Sequence, residues 1–91
     1  MLGEWTLADF KGCNLPQKAA SAFTAVTGGL TGAEYLPVLY VGSQVVNGTN
    51  HCILAIQTII TACPEKRLVK VIINDGTDGK ASLVSVSGIA I

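Results

Sequence analysis

The sequence predicts an α+β domain in which a single helix packs on an antiparallel sheet of four or five strands. Three observations lead to this prediction: one stretch with helical periodicity, several runs rich in β-branched residues, and turn-forming residues between those runs. The 91 residues are enough for one domain and too few for two, so we expect residues 1–91 to form a single domain.

The helix is predicted over residues 15–27. Its apolar side chains recur at helical spacing and form one stripe: Leu15, Ala19, Ala22, Phe23 and Val26. Asn14 and Gln17 have the spacing of a capping box at the start of the helix. Gly28 and Gly29 are expected to end it, because glycine readily takes the left-handed conformation that many helix ends require.

Five stretches are predicted to be strands. They cover residues 3–8, 38–46, 49–62, 68–74 and 82–91. Asn47 and Gly48 form the strongest hairpin signal, because both residues tolerate a positive φ. Successive turns of a meander alternate between the two ends of a sheet. The Asn47-Gly48 turn and the loop at 75–79 should therefore share one end, with a turn at 63–67 at the other.

The strand at 49–62 is expected to face the helix with its even positions. These carry Cys52, Leu54, Ile56 and Ile60, whereas the opposite face carries His51, Ile53, Ala55, Gln57 and Ile59. That opposite face is less polar than a solvated sheet face usually is, which predicts a dimer or another packed surface. In the next strand Val69, Val71 and Ile73 share one face, and Trp5 is expected in the core.

Charge and cysteine content restrict the classes of function. The formal net charge is zero and no basic run is present, so we expect no nucleic-acid partner. No apolar stretch is long enough for a bilayer, so we expect no membrane partner. No signal peptide is visible, which predicts a cytoplasmic protein, or a secreted one if Met1 replaces a removed leader. The odd number of cysteines predicts free thiols at Cys13, Cys52 and Cys63.

No catalytic or metal-binding constellation is predicted. His51 is the single histidine, and it adjoins Cys52 on a strand, where neighbouring side chains point to opposite faces. A zinc site would need an unusual ligand set. We therefore expect no enzyme activity, no catalytic residue, no metal and no cofactor.

Residues 44–50 carry the functional signal. They read Gln-Val-Val-Asn-Gly-Thr-Asn and are similar to the QxVxG motif of cystatins, with the Thr-Asn that often follows it in stefins. The order of glycine-bearing N-terminus, helix, motif hairpin and second hairpin also resembles a cystatin over nearly the whole chain. The second hairpin departs from the family pattern, because it lacks the Pro-Trp or Leu-Pro that is common there.

The resemblance implies a reversible protein inhibitor of papain-like cysteine proteases. In that family the N-terminal segment and two hairpins form a wedge that blocks the active-site cleft. The implied protease-binding residues are Leu2, Gly3, Gln44, Val45, Val46, Asn47, Gly48, Asp75, Gly76, Thr77, Asp78 and Gly79. Gly48 is expected to face solvent, so an arginine there should block inhibition with little effect on stability.

Two alternatives remain open. One is an interaction or assembly module that shares the cystatin fold and has no inhibitory activity. The other is a small enzyme on an α+β scaffold, for which no acid–base or nucleophile–base pair can be named. A homodimer is also expected, including a domain-swapped one, because the β-branched Val46 strains the tight turn and straightening the hairpin would release that strain.

Overall fold

The computed structural model describes residues 3, 5–7, 15–30 and 32–89. Its elements are β1 (Trp5–Leu7), α1 (Gln17–Thr27), β2 (Ala33–Val46), β3 (Gly48–Ile59), β4 (Glu65–Asp75) and β5 (Ala81–Gly88). The five strands form one sheet in the order β1-β2-β3-β4-β5, and each neighbouring pair is antiparallel. The predicted α+β class, with one helix on an antiparallel sheet, is confirmed.

The strands differ from the prediction mainly at their ends. β2 begins at Ala33 rather than at residue 38 and runs through Pro37, where the register with β3 shifts. Such an irregularity accommodates a proline, which cannot donate to the ladder. β4 begins at Glu65, so the turn before it covers residues 60–64 rather than 63–67. β2 and β4 both pair with β3 along its whole length, so each extends beyond the stretch of β-branched residues that predicted it.

The helix ends at Thr27 as predicted, but the conformations at its two ends differ from the prediction. The helix begins at Gln17 after Pro16, which occupies the N-cap position at φ −53° and ψ 146° without a side-chain cap; Asn14 lies outside the described residues. At the other end Gly28 stays right-handed at φ −63°. A β-carbon at position 28 would be 2.9 Å from the Thr24 backbone oxygen, so close backbone packing favours this glycine.

The core lies between the helix and the odd-numbered positions of β3 and β4. Its buried members are Ala22, Phe23, Ile53, Ala55, Val69, Val71 and Ile73. The prediction that the even positions of β3 meet the helix is therefore wrong. Both faces of β3 are apolar, so its own pattern cannot choose between them. The register decides, because Ile53 pairs with Val71 and Ala55 pairs with Val69.

The sheet face opposite the odd-numbered core positions of β3 and β4 is called the outer face here. Six apolar residues at paired positions of β2, β3 and β4 define it: Leu36, Leu39, Leu54, Ile56, Leu68 and Ile72. None of the six belongs to the buried core, and Leu36 is 65% exposed. Trp5 is 43% exposed, so its predicted place in the core is wrong. The exposed face is unusually apolar, but Ile53 and Ala55, which were predicted to lie on it, are fully buried, so that part of the prediction is wrong.

Candidate functional site

Three segments of the chain meet at one end of the sheet, which is called the loop end here. They are the turn at Asn47 between β2 and β3, the loop at 76–80 between β4 and β5, and Gly3 before β1. The turn at 60–64 lies at the opposite end. The predicted neighbourhood of the Asn47-Gly48 turn and the 75–79 loop is confirmed, because an antiparallel meander alternates its turns.

The first turn is very tight. Val46 and Gly48 are paired across the hairpin, and Asn47 alone connects them. Gly48 has φ +94°, whereas no described residue other than glycine has a positive φ. The predicted hairpin is present, and Gly48 rather than Asn47 takes the positive φ that both residues tolerate. Val45 and Val46 are 54% and 37% exposed, so apolar β-branched side chains stand beside the turn.

Gly48 packs against the second loop rather than facing open solvent. A β-carbon at this position would lie 2.5 Å from the Asp75 backbone oxygen and 3.0 Å from the Gly76 α-carbon. The expectation that arginine at position 48 leaves stability unchanged is therefore wrong. Any side chain there would both strain the backbone and push the two loops apart.

The N-terminal segment is attached to the first hairpin by two hydrogen bonds. The Gly3 N–H donates to the Val45 carbonyl oxygen at 2.9 Å, and Gln44 Nε2 donates to the Gly3 carbonyl oxygen at 2.6 Å. Leu2 lies outside the described residues. Gln44 therefore sits behind the turn and holds Gly3 against β2, and the exposed part of the hairpin is left to Val45 and Val46.

A row of amide side chains supports the loop end from the outer face. Asn50 Nδ2 donates to Gln44 Oε1 at 3.0 Å, and Asn74 Nδ2 donates to Asn50 Oδ1 at 2.9 Å. Asn74 Nδ2 also lies 3.4 Å from the Asn47 carbonyl oxygen. These contacts connect three strands with the first turn. Sequence patterns did not predict this row, because its members become neighbours only through the strand register.

The second loop is organised by its own polar groups. The Gly76 N–H donates to the Lys80 carbonyl oxygen at 2.9 Å, and the Lys80 N–H donates to Asp78 Oδ1 at 3.0 Å. Gly79 has φ +80° and its N–H donates to the Gly76 carbonyl oxygen at 3.0 Å. Thr77 is exposed, as are Asp78 and Gly79. The loop therefore presents a polar surface next to the apolar first hairpin.

A polar pair of one buried and one half-buried side chain lies on the inner face near the loop end. The Tyr40 hydroxyl is 2.7 Å from His51 Nδ1, and His51 Nε2 is 4.0 Å from Asp75 Oδ2. His51 is 7% exposed, and its buried Nε2 has no hydrogen-bond partner among the described residues. Burial lowers the pKa of His51, and the Asp75 charge partly opposes that shift. His51 is therefore neutral at pH 7.

His51 and Cys52 occupy opposite faces of β3, as expected from strand geometry. His51 pairs with Ser43 and Ile73, whereas Cys52 pairs with Gly42 and Ile72. Burial raises the pKa of the Cys52 thiol, which keeps it in the protonated, unreactive form. Cys52 and Cys63 are free, and Cys13 lies outside the described residues.

Residues 3, 5–7, 15–30 and 32–89 contain neither a group of metal-ligating side chains nor a helix of membrane-spanning character. In this part of the chain no group of three or more His, Cys, Asp or Glu side chains is arranged to hold a metal ion. The same part has no helix with the length and apolar character that a membrane span requires.

An open groove of about 880 Å³ runs between the helix and the loop end. Gln17, Lys18 and Ser21 line its helix side. Thr49 and Thr77 line the opposite side. The groove leaves the flank of the second loop accessible, so the loop end stands clear of the helix and can be approached from outside.

No protein-family model matches this sequence, and no curated protein or solved structure is significantly similar to it.

Proposed function

We propose that the protein is a reversible inhibitor of papain-like cysteine proteases that blocks the active-site cleft with its loop end. The observation that carries the proposal is the exposure of Val45 and Val46 on a tight turn, flanked by Gly3 on one side and by the second loop on the other. This is the arrangement that the QxVxG-like motif implies for a wedge.

The physical properties of the loop end favour a narrow cleft as its target. Valine side chains bury apolar area and have few rotamers to lose, so ordering them on binding costs little. The turn is already fixed by the contact between Gly48 and Asp75 and by the amide row. A rigid hairpin that does not adopt an extended substrate conformation can occupy a cleft without being cleaved.

The specificity of the proposed contact rests mainly on the first hairpin. Gln44 supports it by holding Gly3, and Asn74 Nδ2 lies 3.4 Å from the Asn47 carbonyl oxygen. In the second loop Thr77, Asp78 and Gly79 offer backbone and polar contacts but no apolar anchor. We therefore place the main apolar contact on Val45 and Val46, with a weaker contribution from the second loop.

Titration of papain with the purified protein tests the proposal. We expect stoichiometric and reversible loss of activity against a small fluorogenic substrate, with the inhibitor recovered uncleaved. A serine protease serves as the control, because its cleft and nucleophile differ. Full papain activity at a large excess of the protein would contradict the proposal.

The second candidate is an assembly module on the same scaffold without inhibitory activity. The polar character of the second loop favours it, because a wedge with a single apolar hairpin has a smaller anchor. This candidate predicts no inhibition of papain at any concentration and a binding surface elsewhere on the sheet. The titration therefore distinguishes the two.

A further inference from the structure

The outer face has the composition of an interface. Its six apolar residues lie at the centre of the sheet. In an antiparallel sheet with one solvated face, that face usually carries polar residues. The amide row of Gln44, Asn50 and Asn74 borders the patch on the side of the loop end. A row of Glu34, Thr58 and Lys66 borders it on the opposite side. An apolar centre with a polar rim is typical of protein interaction sites.

The charges of the rim are arranged symmetrically about β3. Glu34 on β2 pairs with Thr58, and Thr58 pairs with Lys66 on β4. Glu34 and Lys66 are both exposed. One negative and one positive charge therefore stand at equal distances on the two sides of β3. Rotation of a second copy by half a turn about an axis parallel to β3 places its Lys66 opposite Glu34, and its Glu34 opposite Lys66.

We propose that the outer face binds the outer face of a second copy of this chain, about a two-fold axis parallel to β3. The apolar residues of the two copies pack face to face, as in a β-sandwich. The two Glu34–Lys66 contacts between copies fix the orientation. A two-fold axis across the strands would instead place the charged row against the amide row, and neither charge would find a partner.

The size of the patch indicates a weak dimer. From the row of Cys52 to the row of Thr58 the patch is about 20 Å long, and its three strands, β2 to β4, make it about 14 Å wide at standard strand spacings. This footprint is smaller than that of a standard specific complex, so we expect the association to be weak and transient. Lys70 lies on the same face and would carry a charge into the interface. Its long aliphatic stem lets the ammonium group reach solvent past Ser87, so its apolar neighbours can still be buried.

The apolar patch does not include the residues that carry the proposed inhibition. Val45 and Val46 lie beyond the amide row, at the end of the sheet opposite the charged row. In the dimer both loop ends point in the same direction, because the axis is parallel to the strands.

Sedimentation velocity over a range from about 1 µM to several hundred µM tests the proposal. We expect the wild type to shift reversibly from monomer to dimer. Glu34→Lys and Lys66→Glu should each weaken the dimer roughly tenfold, because each variant places like charges opposite one another twice. An equimolar mixture of the two variants should restore association, since the mixed dimer regains both opposite-charge contacts. Lys18→Glu on the helix is the control and should leave association unchanged.

Leu54→Asp provides a second, independent test at the centre of the patch. It should abolish the dimer, with circular dichroism verifying that the variant is folded. If Leu54→Asp fails to fold, the charge variants still decide the question. A wild type that stays monomeric at all these concentrations would overturn the proposal. So would a dimer that tolerates the charge reversals, or a mixture of the two variants that does not associate.

Discussion

The α-carbon of Gly48 lies so close to the backbone of Asp75 that a β-carbon on it would be 2.5 Å from the Asp75 carbonyl oxygen. The two loops of the loop end are therefore packed backbone against backbone. Gly48 also has φ +94°, which costs other residues about 1–2 kcal/mol. Stability and the geometry of the loop end are thus coupled at this one residue.

Gly48→Ala should lower the free energy of unfolding by more than the cost of the left-handed conformation alone. Gly79→Ala is the matched control, because Gly79 has φ +80° but a β-carbon added to it would meet no described atom within 4 Å beyond its chain neighbours. We expect a loss of about 1–2 kcal/mol for Gly79→Ala and a clearly larger loss for Gly48→Ala, measured by urea denaturation. Equal losses of unfolding free energy for the two variants would show that Gly48 does not pack closely on the Asp75 backbone.

Val45→Arg should raise the inhibition constant for papain by roughly thirtyfold or more, the effect of losing an interface anchor. Val84→Arg is the control, because Val84 has a nearly identical exposure of 53% and lies on β5 rather than beside the turn. Both substitutions should have similar effects on stability. If Val45→Arg inhibits papain as strongly as Val84→Arg, the first hairpin does not enter the cleft.

Protein stability should decrease as the pH falls from 7 to 5. Burial lowers the pKa of His51 below its usual 6.5 in the folded protein, so the unfolded chain binds the proton first. The free energy of unfolding therefore falls as the pH drops below 6.5. It stops falling once the pH is below the pKa that His51 has in the folded protein. His51 is the single histidine of the chain, so His51→Gln should remove most of this dependence.

Asp75→Asn should make the same decrease larger, because the Asp75 charge is the contact that raises the pKa of His51 toward its usual value. Urea denaturation at several pH values measures both effects. A wild type whose stability is constant between pH 7 and pH 5 would contradict the burial of a neutral imidazole.

The thiols should differ strongly in reactivity. In a Cys13→Ser variant, native titration with a thiol reagent should count one fast group, Cys63, which is exposed. Cys52 is 6% exposed and its thiol pKa is raised, so it should react only after denaturation, which brings the count to two. Cys63→Ser in the same background should remove the fast phase. If the denatured Cys13→Ser protein has no reactive thiol, Cys52 and Cys63 are joined by a disulfide.

Mild heating should convert the monomer into a domain-swapped dimer that no longer inhibits papain. Asn47 alone connects the paired residues Val46 and Gly48. Opening this turn would merge β2 and β3 into one long strand, which a second copy could exchange. It would also release the strain expected from the β-branched Val46 beside the turn. Insertion of two glycines after Asn47 should relax the turn and reduce the conversion. Swapped dimers persist on dilution, whereas dimers formed through the outer face dissociate. A diluted, persistent dimer with full inhibitory activity would contradict the link between the bent hairpin and inhibition.

The sequence by itself determined the α+β class, the single helix, the meander of the strands after the helix and the position of the two loops at one end. These follow from local periodicity, from turn residues such as Gly48 and from the alternation of turns in a meander. Tertiary structure decided which face of β3 meets the helix, because Ile53 and Leu54 are equally apolar and only the pairing with Val71 on β4 distinguishes them. It also decided the amide row, the Tyr40–His51 contact and the packing of Gly48 on Asp75. Each of these joins residues from different strands, and strand register is a property of the whole sheet rather than of any segment.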